Sequence, residues 1–316
     1  MAIYVLQPGP LTTVQDMGRF GYQASGMPVS GVMDHRACRD ANALVGNNGS
    51  EAVLEFTLLG GSFRFTAPAV IALTGADMSP VLNGIPCPMY TAVPVEEGAV
   101  LSLSYAKSGC RTYLAVSGGI DVPTVMGSKS TYIKCGIGGF CGRALAAGDT
   151  VPVGEAADIK LRSPDAALNT APPVYPEHVT VRVIEGPQAG HFTDEGLQAF
   201  YSGSYTVSAQ SDRMGCRLDG PAVTAKEHAD ILSDGTVFGS IQITSAGQPV
   251  ILMAERQTTG GYAKIATVCT ADLPVIAQCR PGYTVRFQKI TRKEAQVLLT
   301  AGCETCCAKM PECKNL

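Results

Sequence analysis

The chain has 316 residues, with 24 Lys and Arg against 27 Asp and Glu, which gives a formal net charge of −3. Its length suits about two domains of roughly 150 residues each, or one large β-barrel unit. A near-neutral chain lacks the clustered basic residues of nucleic-acid-binding proteins, so no nucleic-acid partner is expected. No segment reaches the roughly 18 apolar residues of a membrane span, and residues 1–8 lack a basic start, so no membrane segment or signal peptide is expected.

Charged residues make up only 16% of the chain, against about 25% in ordinary globular proteins, while the hydrophobic share of 46% is usual. We therefore expect part of the surface to face a partner chain. Most of the cysteines lie inside apolar runs, among them Cys110, Cys135, Cys269 and Cys279. They are typical of reduced core thiols, which indicates a cytoplasmic protein.

Short apolar or β-branched runs, each closed by Gly, Pro or Asn, predict strands along the whole chain. In the first half they are residues 3–7, 52–57, 62–66, 69–74, 81–82, 100–105, 111–117 and 131–134. In the second half they are residues 179–184, 205–209, 222–224, 236–243, 249–254, 264–270, 274–278 and 283–289. The 35 Gly and 20 Pro residues also favour many short strands over long helices.

Capping residues predict a few short helices between these strands. The first follows Asp34 and stops at Gly46, the second runs from Thr193 to near Gly203, and the third starts at the Thr291 capping box and ends at Gly302. The fold class that we expect is therefore mainly β.

The least structured stretch is residues 154–178, which is rich in proline and has little periodicity. It predicts an N-terminal domain of residues 1–160, a linker of residues 161–177 and a C-terminal domain of residues 178–302. Residues 303–316 form a cysteine-rich tail. Its Cys303, Cys306, Cys307 and Cys313 could hold zinc, but a tail of free thiols is the favoured interpretation, so no metal site is expected.

The densest polar cluster follows the buried strand predicted at residues 250–254. It consists of Glu255, Arg256, Gln257, Thr258 and Thr259. Polar residues rarely gather at the end of an apolar strand unless they pair with one another or take part in function. One interpretation is a substrate pocket in which Arg256 meets an anion or a developing oxyanion, Gln257 an amide, and the two threonines donate hydrogen bonds. The other is a hairpin turn in which Glu255 and Arg256 pair.

Two further polar loops carry candidate site residues. Ser211, Asp212 and Arg213 alternate charge between glycines, which suits an ion pair at a site rim or, slightly more, a salt-bridged structural corner. The third loop joins residues 12–19, with Gln15, to residues 30–34, with Asp34, and is equally compatible with a corner and a site.

Several familiar motifs are incomplete. Residues 127–131 are similar to a phosphate loop but lack its first glycine, so a turn is the favoured interpretation. Residues 136–139 do not precede a helix, which argues against a dinucleotide fold. The four histidines have no metal-ligand spacing, and the absence of a Met-Lys-Met motif excludes a biotin attachment site of that type.

These loops resemble a known family. The segments that carry the resemblance are residues 9–19, 30–34, 72–77, 115–123, 127–132, 186–188, 211–215 and 255–262. They are similar, in order, to the allophanate hydrolase subunit 2 / KipA family, also called biotin-dependent carboxyltransferase-like. That family includes the 5-oxoprolinase C subunit and part of the urea carboxylase carboxyltransferase domain. It usually has Asp at Glu255, Pro at Phe238 and Arg at Lys129, and lacks the cysteine-rich tail.

The resemblance implies two tandem cyclophilin-like β-barrel domains and a complex with two partner proteins. These partners are the KipI-like B subunit of 5-oxoprolinase, together with its LamB/YcsF-like A subunit. Such complexes hydrolyse 5-oxoproline to glutamate with ATP, which we expect to bind in the complex. The first alternative is a carboxyltransferase that uses carboxybiotin carried by another chain. The second is a KipA-like protein that antagonises an inhibitor of a histidine kinase.

The resemblance and the polar loops together give a set of expected site residues for a small cyclic-amide substrate. A lactam and the ureido ring of biotin are both five-membered cyclic amides whose carbonyl oxygen gains negative charge on activation. The expected catalytic residues are Arg256, Arg213, Asp212 and Lys264. The expected substrate-binding residues are Gln15, Asp34, Gln257, Thr258, Thr259 and Ser211.

Overall fold

The computed structural model describes residues 1–156 and 172–307, with side chains up to residue 300. The chain divides into two units, which we describe one at a time. Unit 1 comprises Met1–Pro176 together with Ala277–Arg280, and unit 2 comprises Glu177–Ile276 and Pro281–Leu316. Most of the predicted linker, residues 161–177, and the side chains of the cysteine-rich tail lie outside the described residues.

Unit 1 is built from two antiparallel sheets. Its strands are β1 (Ala2–Gln7), β2 (Thr12–Gln15), β3 (Val53–Thr57), β4 (Ser62–Phe65), β5 (Ala69–Asp77), β6 (Val81–Leu82), β7 (Ile85–Pro86), β8 (Val93–Val95), β9 (Val100–Ser102), β10 (Ser108–Val116) and β11 (Thr150–Pro152). The six-stranded sheet has the order β11-β1-β4-β9-β6-β7, and the five-stranded sheet has the order β2-β3-β10-β5-β8.

The core of unit 1 is filled by apolar side chains from both sheets. Phe56 of β3 and Phe63 of β4 meet edge to face, with their ring centroids 5.3 Å apart. The helix α1 (His35–Leu44) packs on β5 and β10 and buries Ala37, Cys38 and Ala41. It begins where predicted, because the Asp34 carboxylate accepts a hydrogen bond from the Ala37 amide at 2.9 Å.

Unit 2 contains a closed seven-stranded barrel and a two-stranded ribbon. Its strands are β12 (His178–Glu185), β13 (Tyr205–Val207), β14 (Gly215–Asp219), β15 (Asp230–Gly235), β16 (Ser240–Ile243), β17 (Pro249–Leu252), β18 (Thr259–Tyr262), β19 (Lys264–Val268) and β20 (Thr284–Lys289). The barrel order is β12-β19-β16-β17-β14-β13-β20, and it closes through a parallel pairing of β12 with β20. Strands β15 and β18 form a separate two-stranded ribbon.

The remaining helices lie in the second half of the chain. They are α2 (Asp194–Ser202), α3 (Leu273–Ala277) and α4 (Arg292–Cys307). Phe200 of α2 stacks on Phe287 of β20, with ring centroids 4.4 Å apart, so this helix covers one side of the barrel core. The prediction of a mainly β fold with a few short helices is confirmed.

Some predicted elements are wrong in detail. Residues 131–134 form a 3-10 turn, Ile133–Cys135, instead of a strand, and Gly136 ends it with a left-handed φ of 63°. Residues 274–278 were expected as a strand but mostly form α3, since Pro274 suits the first turn of a helix. The strand predicted at 222–224 is absent, and α4 continues past Gly302, since one glycine costs a helix only about 1 kcal/mol.

Among the described residues, no helix is long and apolar enough to cross a membrane. In the same part of the chain, no group of three or more His, Cys, Asp or Glu side chains could hold a metal ion. Cys110, Cys269 and Cys279 are buried thiols, as expected, whereas Cys135 is exposed because it lies in the 3-10 turn.

Candidate active site

Two neighbouring barrel strands bring the predicted polar loops of unit 2 together. The antiparallel pairing of β14 with β17 is continued beyond the strand ends by two backbone hydrogen bonds. The Met253 amide donates to the Met214 carbonyl, and the Glu255 amide donates to the Arg213 carbonyl, both at 2.8 Å. The side chains of residues 211–213 and 255–257 therefore gather at one end of the barrel wall.

A buried ion pair lies at this point. Arg213 Nε donates to Glu255 Oε1 at 2.6 Å, and both side chains are almost fully buried. Glu255 therefore pairs with Arg213, and the alternative hairpin turn with paired Glu255 and Arg256 is not what forms. The expected catalytic residue Arg213 is engaged in holding the end of β17 against β14.

Arg256 has a different environment from Arg213. Its side chain is only 7% exposed, its Nη1 donates to the Met253 carbonyl at 3.4 Å, and its buried Nε has no hydrogen-bond partner in the described part of the chain. Within residues 1–156 and 172–300, no carboxylate forms an ion pair with it. Burial lowers the pKa of Arg256 to about 10, so it stays charged at neutral pH. A buried, charged group without a counter-ion indicates a place for an anion.

An aromatic ring covers this guanidinium. Phe238 lies with its ring centroid 5.8 Å from Arg256 Cζ, within the range of a cation–π contact. The tight turn Val237–Ser240 places this ring, because the Ser240 amide donates to the Val237 carbonyl at 3.1 Å. Sequence reasoning noted Phe238 only as a departure from the family and missed this contact.

Gln257 belongs to a chain of amide hydrogen bonds. Its Nε2 donates to Gln242 Oε1 at 3.2 Å, and Gln242 Nε2 donates to the Tyr262 carbonyl at 3.1 Å.

Thr236 bonds to the backbone of the same segment: its amide donates to the Thr258 carbonyl at 3.0 Å and its hydroxyl to the Gln257 carbonyl. Thr258 is half-buried and Thr259, the first residue of β18, is exposed.

Lys264 ties the β15–β18 ribbon to the barrel. Its Nζ donates to Asp234 Oδ2 and, at 2.7 Å, to the Gly235 carbonyl. Gln188 completes the connection, since its Nε2 donates to Asp234 Oδ2 and its Oε1 accepts from the Lys264 amide, both at 3.2 Å. The hydrogen bond from Lys264 also holds the pKa of Asp234 below its ordinary value.

Asp212 and Ser211 stabilise the turn before β14. Asp212 Oδ1 accepts from the Met214 amide at 2.8 Å and from the Gly215 amide at 2.9 Å. The Ser211 hydroxyl donates to the Arg217 carbonyl and accepts from the Arg217 amide. The Ser211 hydroxyl and Asp212 Oδ1 are thus used within the loop, and this geometry supports the corner interpretation.

The two expected site residues of unit 1 are both buried. Gln15 Nε2 donates to Thr13 Oγ1 at 3.1 Å and to the Thr131 carbonyl at 3.2 Å, while its Oε1 has no partner among the residues that the structure describes. Asp34 caps α1 through Oδ1, and its Oδ2 accepts from Gln278 Nε2 at 2.9 Å. Burial raises the pKa of Asp34 from 3.8 to about 6. Both carboxylate oxygens are engaged, so this geometry supports the corner interpretation of the loop around Asp34.

The loop that is similar to a phosphate loop binds an anion of the chain itself. Asp16 Oδ1 accepts from the hydroxyls of Ser128 and Ser130, and its Oδ2 accepts from the Lys129 amide at 2.6 Å. Arg19, which is fully buried beside it, donates to the Val125 and Ser130 carbonyls at 3.0 Å. Residues 127–130 therefore form a structural turn around Asp16, not a phosphate cradle.

Comparison with known proteins identifies the family to which this architecture belongs. The family model for "Carboxyltransferase domain, subdomain A and B" matches residues 25–289. The chain belongs to this family. The resemblance recognised in the sequence is thus confirmed, and the family match covers most of unit 1 and the whole barrel.

Individual members of the family match over different shares of their length. The chain is 38% identical to the 5-oxoprolinase C subunit of Escherichia coli over 291 residues, 92% of each chain. It is 36% identical to the 5-oxoprolinase C subunit of Haemophilus influenzae over 296 residues, 94% of each chain. Among solved structures, urea amidolyase of Kluyveromyces lactis superposes with a TM-score of 0.87 at 31% identity. That match covers 96% of this chain and 20% of the urea amidolyase.

Proposed function

We propose that this chain is the C subunit of a 5-oxoprolinase complex, which hydrolyses 5-oxoproline to glutamate with ATP. The observation that carries the proposal is the end-to-end match with two proteins of that name, which covers 92% and 94% of both chains. By contrast, the chain spans only 17% of the urea amidolyase of Saccharomyces cerevisiae, to which it is 32% identical. The proposed partners are the KipI-like B subunit of that complex, together with its LamB/YcsF-like A subunit.

The environment of Arg256 suits this chemistry. In the reaction, water is added across the lactam C–N bond, and ATP hydrolysis in the complex activates the lactam carbonyl. The substrate carries a carboxylate, and its carbonyl oxygen gains negative charge when the ring is attacked. A preorganised guanidinium in a dry site stabilises such charge far more than water does, by about 3–4 kcal/mol for one donor. Arg256 is charged and lacks a carboxylate partner among the described residues, so it is the proposed catalytic group.

Gln257 is the proposed orienting group. Its amide is already positioned by Gln242, and an oriented amide restricts the poses of a ring that is itself an amide. Arg213 and Glu255 act through the backbone, because their ion pair holds the turn from which Arg256 projects. The nucleotide is not assigned to residues 127–130, whose donors bind Asp16.

A carboxyltransferase that receives the carboxyl group from carboxybiotin on another chain is the second candidate. It is favoured by the family model and by the close superposition on urea amidolyase. The same guanidinium and amide would then face the ureido oxygen of biotin, which gains negative charge during carboxyl transfer.

Reconstitution separates the two candidates. The purified chain is combined with the A and B subunits from the same genome, and glutamate released from 5-oxoproline is measured with and without ATP. We expect ATP-dependent release that is lost when this chain is omitted. Release that continues without this chain, or urea-dependent consumption of carboxybiotin without any lactam hydrolysis, would overturn the proposal.

A further inference from the structure

Residues 234–238, here called the cover segment, lie against the turn that carries Arg256. Thr236 donates its amide to the Thr258 carbonyl and its hydroxyl to the Gln257 carbonyl, so the segment follows residues 256–258 closely. At its end, the Phe238 ring covers the Arg256 guanidinium. A substrate anion that approaches Arg256 from the side of this ring meets the cover segment first.

The strand that leads into the cover segment has few contacts of its own. Among the strands that the structure describes, β15 pairs only with β18, and its Leu232 side chain is 95% exposed. Segments with few buried apolar contacts are the ones that open locally at low free-energy cost. The side chain of Val237, within the cover segment, also faces solvent.

One buried ammonium group anchors the cover segment at its start. Lys264 is 5% exposed, and its Nζ donates to Asp234 Oδ2 and to the Gly235 carbonyl. An ammonium group without such partners would be costly to bury, so its bonds favour the closed arrangement. The backbone of Lys264 is itself held in place, because Lys264 lies in β19, which pairs with both β12 and β16 of the barrel.

We propose that Lys264 is a positioning residue that holds the cover segment over Arg256, and that release of its bond to Asp234 uncovers Arg256 for an anionic substrate. This role replaces the catalytic one expected for Lys264 from the sequence. The identity of the anion, a carboxylate-bearing lactam, rests on the proposed function. The anchoring of the segment does not.

The chain contains no tryptophan, which makes a direct test possible. Phe238→Trp places the single tryptophan of the chain in the cover segment. When it is excited at a wavelength that tyrosine does not absorb, its quenching by acrylamide measures how exposed that position is. Adding Lys264→Met removes the ammonium group and keeps most of the side-chain volume. We expect the quenching constant of the reporter to rise at least about twofold. An unchanged constant in a variant with unchanged circular dichroism would overturn the proposal.

Two controls isolate the effect. Lys289→Met removes a lysine from an exposed pair with Glu185 in the same unit, and it should leave the reporter at position 238 unchanged. Phe20→Trp places the fluorophore at an exposed site of unit 1, where Lys264→Met should have no effect. If Lys264→Met does not fold, Asp234→Asn weakens the same bond from its exposed side and should raise the quenching constant as well.

The catalytic consequence is measured in the reconstituted complex. Lys264→Met should lower kcat/KM for 5-oxoproline about tenfold or more, because a cover segment that opens but is no longer held closed lets water reach Arg256 beside the bound substrate. Lys264→Arg should restore much of the activity, because Arg can still donate to Asp234. If the complex has no lactam activity, the proposed function fails while the quenching result still stands. If quenching rises but kcat/KM is unchanged, the link between cover and catalysis is wrong.

Discussion

Arg213 Nε lies 2.6 Å from Glu255 Oε1, and this ion pair leaves the neighbouring Arg256 without a carboxylate partner among the described residues. Two guanidinium groups and one carboxylate thus lie on adjoining turns, and the carboxylate is paired with Arg213. In the proposed function, Arg256 is the guanidinium that remains to meet the substrate anion.

The buried pair should behave as one unit in unfolding experiments. Arg213→Met and Glu255→Gln should each lower the free energy of unfolding by about 3–5 kcal/mol, because each leaves a buried polar partner unsatisfied. The double variant Arg213→Met/Glu255→Gln should cost clearly less than the sum of the two single variants. Urea unfolding of the four proteins measures this, and additive losses would contradict the pairing.

Removing the Arg256 guanidinium should affect turnover far more than folding. Arg256→Ala is expected to lower ATP-dependent glutamate release in the complex by about 10²–10³-fold, since a preorganised charge donor is lost. The melting temperature should not fall in proportion, because the variant also relieves a buried cation with no ionic partner. Turnover within about threefold of the wild type would remove Arg256 from the mechanism.

A substitution at Gly260 tests the orienting role of Gln257 without removing the Gln257 side chain. A Cβ at position 260 would lie 2.5 Å from Gln242 Nε2 and 3.0 Å from Gln257 Nε2, so Gly260→Ala must displace these flexible side-chain ends. We expect a loss of stability under about 1 kcal/mol, with a 10- to 100-fold loss of turnover if Gln257 orients the substrate. Gly261→Ala is the matched control, because its Cβ would meet only ordinary contacts at 3.5 Å and 3.8 Å. Equal turnover in the two variants would contradict the role of Gln257.

The cap of α1 should give the chain a specific pH dependence. Burial raises the pKa of Asp34 from 3.8 to about 6, so the folded chain holds this proton more tightly than the unfolded chain. Its stabilising effect is fully present below pH 3.8 and is lost as the pH rises through about 6. The destabilisation caused by Asp34→Ala should therefore shrink between pH 4 and pH 7, by about 1.4 kcal/mol for each unit of pKa shift.

The other capped helix supplies the control for this prediction. Thr193 caps α2 through a hydroxyl that does not titrate in this range, and it accepts from the Gly196 amide at 3.0 Å. Urea unfolding of Thr193→Ala should therefore show a cost that does not change between pH 4 and pH 7. A constant cost for Asp34→Ala as well would show that the carboxyl titrates alike in the folded and unfolded chain.

Local signals in the sequence were sufficient for the long strands and the helix starts. β10 and β20 are apolar runs closed by turn residues, and the side chains of Asp34 and Thr193 cap α1 and α2. β8, β11 and the β15–β18 ribbon were not predicted, because three-residue and solvent-exposed strands have no apolar alternation. Their structure depends on partner strands far along the chain.

The candidate site was likewise predictable only as far as local signals in the sequence reach. The polar run after β17 is visible in the sequence, and the structure brings Arg256 and Gln257 to the same turn. The partners of these residues are distant in sequence: Arg213 for Glu255, Phe238 for Arg256, and Asp234 for Lys264. A single sequence gives no measure of such pairings, which explains why Phe238, Asp234, Gln188 and Gln242 were not among the expected site residues.

The closure of the barrel has a consequence for synthesis of the protein. His178 of β12 pairs with Thr284 of β20, so the barrel cannot close until β20 has left the ribosome. Unit 1 is also completed late, because Gln278, which donates to Asp34, lies in its second segment, Ala277–Arg280. A premature stop before β20 would leave β12 and β13 as open edges, which are templates for aggregation. Quality control of the nascent chain should therefore discard such fragments, and no shortened form of this protein is expected to accumulate.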